Sequence, residues 1–147
     1  TQLGTIISNH LWKKKCQVYF APFDVVLPLP NKSILQSDRI VQPDITVICN
    51  PEILDERGCH GVPDWIIEIL SPGSQKHDIQ VKYDLYEEAG VGEYWITDPI
   101  NECIEIFVLQ NGKYQRIGTY FKGDIVQSHT LKELHINLNE IFYEDGM

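Results

Sequence analysis

Residues 61–72 read GVPDWIIEILSP, and the stretch from Ile66 to Leu70 is unbroken hydrocarbon except for Glu68 at its centre. A short apolar run bounded by turn residues is the mark of a strand covered on both faces of a sheet. Leaving a carboxylate unpaired in such a place costs on the order of several kcal/mol. Whatever this chain folds into, it must supply Glu68 with a partner.

A second segment, VQPDITVICN at 41–50, has the same character. Its proline lies near the strand start, where a missing N–H is tolerated. Strand alternation puts Asp44, Thr46 and Ile48 on one face and Ile45, Val47 and Cys49 on the other. In 63–70 the same rule groups Asp64, Ile66 and Glu68 opposite Trp65, Ile67 and Ile69. If the two strands are neighbours, Asp44 and Glu68 lie side by side. Close carboxylates repel, and the usual remedies are a shared proton or a bound cation. An oxygen site of this kind suits Mg²⁺, which takes one or two carboxylates and keeps several waters. Such an ion supports phosphodiester hydrolysis.

The segment after SPGSQKH predicts a helix from Asp78 as N-cap to Ala89, with Gly90 at C′. Lys82 falls about one turn into it, where its amine reaches back towards the end of the Glu68 strand. There it would stabilise developing negative charge or orient a water. The plainer reading pairs it with Asp78 at i, i+4 on a solvated face.

The remaining chain predicts a helix over 3–12, strands at 16–20 and 24–29, a loop at 30–39, and a loop or helical turn at 51–61. Strands follow at 93–99, 102–109, 112–121 and 124–128, the last three as an antiparallel meander. A short strand and one helical turn close the chain at 131–142. This is mixed α/β, a central mixed β-sheet flanked by helices, in a single domain over 1–147.

With a net charge of −9 the chain is no simple nucleic-acid coating protein, which would be basic. No run approaches the length of a membrane span, and no secretory signal precedes the first helix. The four cysteines, at 16, 49, 59 and 103, lack CxxC spacing and read as reduced residues of a cytoplasmic protein. No two histidines stand at i, i+4 as metal ligands, and Ser71 and Ser74 have no partnered histidine in the sequence. Asp64 reads as a turn or supporting group, and Asp24 as a residue that approaches from a neighbouring strand. Trp65, Trp95 and the tyrosines read as core or interface, with Tyr83 and Tyr86 as a candidate dimer stripe.

VQPDITVI, GVPDWIIEILSP and DIQVKYDLYEEAGVGEYWITDP, in that order and spacing, resemble the putative restriction endonuclease family of the PD-(D/E)XK nuclease superfamily. The likeness extends from APFDVVLP to the closing strands. It implies a restriction-endonuclease-like core, Mg²⁺-dependent (or Mn²⁺-dependent) cleavage of DNA, and a homodimer. By position, Asp44 is similar to the metal-binding aspartate and Glu68 to the acid of the ExK element, with the Ile69 carbonyl as a further ligand. The ExK lysine would fall at Leu70; Lys82 matches a lysine displaced to the next helix. A further acid expected upstream is not seen in the first helix. These departures leave a second reading open, a nuclease-fold binding or assembly module without turnover.

Overall fold

Pairing of the 41–50 and 63–70 segments organises the molecule. A computed structural model describes residues 1–28 and 39–143. The elements in chain order are α1 (Gln2–His10), β1 (Gln17–Phe20), β2 (Val25–Val26), β3 (Ile40–Val41), β4 (Ile45–Ile48), β5 (Leu54–Asp55) and β6 (Gly58–His60). They continue with β7 (Trp65–Ile69), α2 (Lys76–Ala89), β8 (Glu93–Asp98), β9 (Cys103–Gln110), β10 (Lys113–Phe121), β11 (Ile125–Gln127) and β12 (His135–Asn137). The main sheet has six strands in the order β1-β4-β7-β8-β9-β10. Only β7 and β8 run parallel within it, and α2 makes the crossover that parallel neighbours require.

Both faces of this sheet are covered, as the apolar strands demand. On one, Ile45, Val47, Trp65, Ile67 and Trp95 meet Leu3 and Ile7 of α1 and the tail residues Leu138 and Ile141. On the other, Ile48, Ile66, Tyr94 and Phe107 pack with Tyr86 of α2 and with Val25 and Cys59. The alternation expected for 41–50 and 63–70 is therefore the one found.

Several boundaries differ from expectation. Helix α2 starts earlier, with Gln75 at its N-cap, so Asp78 lies in the first turn, where the helix dipole favours an acid. Gly90 ends it with φ 95°, as anticipated. The meander comprises β8, β9 and β10. The chain then turns at Gly123 (φ 103°), where the Asp124 carboxylate accepts from Phe121 N–H at 2.8 Å. Beyond that turn β11 leaves the sheet and pairs with β12. Within 51–61 a single 3₁₀ turn is followed by the β5–β6 hairpin, which joins a small sheet ordered β3-β2-β6-β5. The strand expected at 24–29 narrows to Val25–Val26, and residues 30–38 of the expected loop lie outside the described residues.

The cysteine reading requires a correction. Cys16 and Cys49 form a disulfide, because the β1–β4 register that sets Gln17 opposite Ile48 brings the two next residues together. Cys59 and Cys103 are free. Among the described residues no helix is long and apolar enough to cross a membrane.

Candidate active site

The antiparallel register pairs Ile45 with Ile67 and Thr46 with Ile66, so one further step sets Asp44 beside Glu68 at the same end of the sheet. The two residues hold each other through the main chain. Asp44 N–H donates to Glu68 Oε1 at 3.2 Å, and Ile69 N–H donates to Asp44 Oδ2 at 2.7 Å. Each carboxylate is thus aimed by the backbone of the neighbouring strand, which fixes both without a flexible intermediary.

Helix α2 crosses above this end and supplies two more groups. Lys82 and Tyr86 are four residues apart, so they project from one face. Lys82 Nζ lies 3.1 Å from Glu68 Oε2, and Tyr86 Oη donates to the same oxygen at 2.8 Å. Glu68 is 6% exposed, whereas the Lys82 side chain is 46% exposed. The buried carboxylate is therefore reached by a cation whose other side remains in solvent. Burial pushes the Glu68 carboxyl above its ordinary range, and Lys82 and then the Tyr86 hydroxyl oppose that shift. Burial also raises the Tyr86 and Tyr94 hydroxyls, and the Glu68 charge adds to the effect on each. Both stay protonated donors.

These groups border a cleft of about 230 Å³, whose wall includes Asp44, Glu68, Ile69, Ser71, Lys82 and Tyr94. Asp44, Glu68, Ile69 and Lys82 are thus brought together as expected. No ion pair joins Asp78 to Lys82; the lysine turns to the buried acid instead. Asp64 is at the opposite end of β7, where its carboxylate accepts Cys49 N–H at 2.7 Å. Asp24 also stands apart, bonded to Gln42 Nε2 at 2.8 Å. Ser71 and Ser74 engage each other, with their hydroxyl oxygens 3.5 Å apart.

Tyr86 is a further correction. It is wholly buried on the sheet-facing side of α2, which removes it from any dimer stripe, and it donates to Glu68 alongside Asp44 N–H and Lys82. The i, i+4 spacing from Lys82 was the available signal. The sequence reading also passed over Glu93, which is 1% exposed at the far end of β8. Its carboxylate accepts from Trp95 Nε1 (2.7 Å), Ser128 Oγ (3.0 Å), His129 N–H (3.1 Å) and Thr130 N–H (2.8 Å). That saturation marks Glu93 as the anchor of the 128–130 segment.

Among the described residues, no three of His, Cys, Asp and Glu converge as a metal cluster. The donors that do converge are hard oxygens. Asp44 Oδ1 takes no hydrogen bond from a described residue, and Glu68 Oε1 takes only the 3.2 Å bond from Asp44. Two carboxylates with spare lone pairs beside a cleft fit a cation that completes its shell with water.

Comparison with known proteins agrees with this architecture. A putative nuclease belonging to DUF820 from Anabaena variabilis has a similar solved structure, with a TM-score of 0.71 at 18% identity, covering 95% of this chain and 75% of that one. At that identity the likeness bears on the fold. No curated protein is significantly similar. The family described as Uma2, putative restriction endonuclease, matches residues 1–139, which contain the whole Asp44–Glu68–Lys82 grouping, and the chain belongs to that family.

Proposed function

We propose that the chain is a divalent-metal-dependent endonuclease that hydrolyses phosphodiester bonds of DNA, with Asp44, Glu68 and Lys82 as its catalytic residues. The observation that carries this reading is the convergence of two carboxylates from adjacent strands with an amine 3.1 Å away, beside an open cleft. Membership of a family described as restriction endonucleases supports it.

Asp44, Glu68 and the Ile69 carbonyl would hold Mg²⁺ or Mn²⁺. When bound, the ion supplies Lewis-acid stabilisation of phosphoryl charge and a water of lowered pKa. The protein does the rest by positioning. The two main-chain bonds keep the carboxylates fixed before substrate arrives. Tyr86 holds Glu68 Oε2 from the buried side. Lys82, half in solvent, is free to exchange its contact with Glu68 for a phosphate oxygen and to neutralise charge that develops there. A cytoplasmic homodimer is the form in which we propose that it acts. Disulfides are uncommon in that compartment, so Cys16–Cys49 is expected to be reduced there.

The test is cleavage of plasmid DNA by the purified full-length protein with Mg²⁺ or Mn²⁺. Asp44→Ala, Glu68→Gln and Lys82→Ala should each lower the rate at least about 100-fold. Unchanged cleavage in the two carboxylate variants rejects the assignment. Metal binding with no cleavage in the unmutated protein favours the turnover-free binding module.

A further inference from the structure

Three buried tyrosines, Tyr86, Tyr94 and Tyr114, pack together on the α2 side of the sheet, Tyr86 edge-on to Tyr94 and Tyr114 tilted against it. A buried tyrosine normally finds a partner for its hydroxyl. Tyr86 donates to Glu68 at 2.8 Å, and Tyr114 donates to the Val91 carbonyl at 2.8 Å. Tyr94, only 1% exposed, has no hydrogen-bond partner among the described residues. Its oxygen is nevertheless not sealed away. Among the described residues, the side-chain polar atoms that are both fully enclosed and without a partner are Thr46 Oγ1, Trp65 Nε1 and Thr97 Oγ1, whereas Tyr94 forms part of the cleft wall beside Asp44, Glu68 and Lys82. The hydroxyl is the one polar atom that this side chain can offer to the cleft it lines.

We propose that Tyr94 is a substrate-contacting residue of the cleft, donating its hydroxyl hydrogen to a non-bridging oxygen of the bound phosphodiester. The inference rests on the nuclease reading and adds a residue to it. Three features suit the role. The ring is packed at centroid distances of 5.1 Å from Tyr86, 5.9 Å from Tyr114 and 6.2 Å from Phe107, so the donor is already oriented. Its hydroxyl is not committed to another group among the described residues, so binding breaks no bond there. It is neutral, and can approach an anion beside two carboxylates without competing for the cation. Anionic acceptors strengthen such a bond.

The experiment compares Tyr94→Phe with the unmutated full chain, using Mg²⁺ and a DNA oligonucleotide duplex for both cleavage and equilibrium binding. Because the hydroxyl makes no hydrogen bond among the described residues, the unfolding midpoint should not fall. kcat/KM should drop about 10- to 100-fold. Equal cleavage by the two proteins overturns the role of Tyr94 and leaves the nuclease reading intact. A lowered midpoint with unchanged kcat/KM also overturns it, since that marks a packing role. If neither protein cleaves but Tyr94→Phe binds the duplex more weakly, the contact stands and the nuclease reading falls. If the two proteins neither cleave nor differ in binding, both are rejected.

Discussion

Replacing Tyr86 by phenylalanine tests whether Glu68 is held as an ionised, deliberately supported carboxylate. The change removes one oxygen and leaves the ring packed against Tyr94. The lost bond is short, at 2.8 Å, and runs to a group 6% exposed, so water cannot readily replace it. The contacts that remain to Glu68, from Lys82 at 3.1 Å and Asp44 N–H at 3.2 Å, are longer. A hydrogen bond to a charged group contributes about 1.5–3 kcal/mol, which for a chain of this size is a fall in melting temperature of roughly 3–12 °C. The assay is urea unfolding at about pH 8, well above the ordinary carboxylate range. It is run on the wild type, Tyr86→Phe, Glu68→Gln and the double variant. The cycle should return a coupling of at least about 1 kcal/mol between the two positions. A coupling below about 0.5 kcal/mol would refute the reasoning, because it would mean that the Tyr86 hydroxyl serves the core and not the acid.

Burial raises the Glu68 carboxyl in the folded state, so between its ordinary and raised values the folded protein keeps a proton that the unfolded chain has lost. That contribution is fullest at low pH and is lost as pH rises through the window, from about pH 4 upward. Glu68→Gln should flatten this slope in urea midpoints measured across the range; parallel profiles would contradict it. Glu93→Ala strands four donors and should cost about 3 kcal/mol or more, with protease cleavage appearing first at 128–130; a near-neutral result would remove its anchoring role. Thiol titration of the oxidised, denatured chain should find two free thiols, and reduction should destabilise it by about 3–4 kcal/mol, given a Cys16–Cys49 separation of 33 residues. Four thiols in air-oxidised protein would rule the bond out.

Some of this was written in the sequence. Period-two alternation in 41–50 and 63–70 assigned every residue of those strands to its face, since a register slip would send an entire apolar set to the wrong side. A lone acid within Ile-Ile-Glu-Ile-Leu announced that something had to meet it. Turn chemistry at Gly90 ended α2 where expected. The residue spacing also placed Lys82 in the helix that follows Glu68, although the earlier start of α2 at Lys76 puts it nearly two turns in. These are local signals, carried by neighbours along the chain.

Other features required pairing in space. That β4 lies beside β7 decided that Asp44 and Glu68 brace each other, because the bonds between them come from main-chain groups that no side-chain pattern reveals. The packing of α2 against the sheet decided that Tyr86 faces an acid and that Lys82 leaves Asp78 for Glu68. The departure of β11 from the meander to pair with nearby β12 was a choice of strand partner, and the meeting of Cys16 with Cys49 followed from strand neighbours 33 residues apart. Local sequence thus set which residues are apolar, turned or charged on each element. Only the tertiary structure, by choosing which elements touch, determined the partners of the buried charges and set Tyr94 in the cleft wall with no hydrogen-bond partner among the described residues.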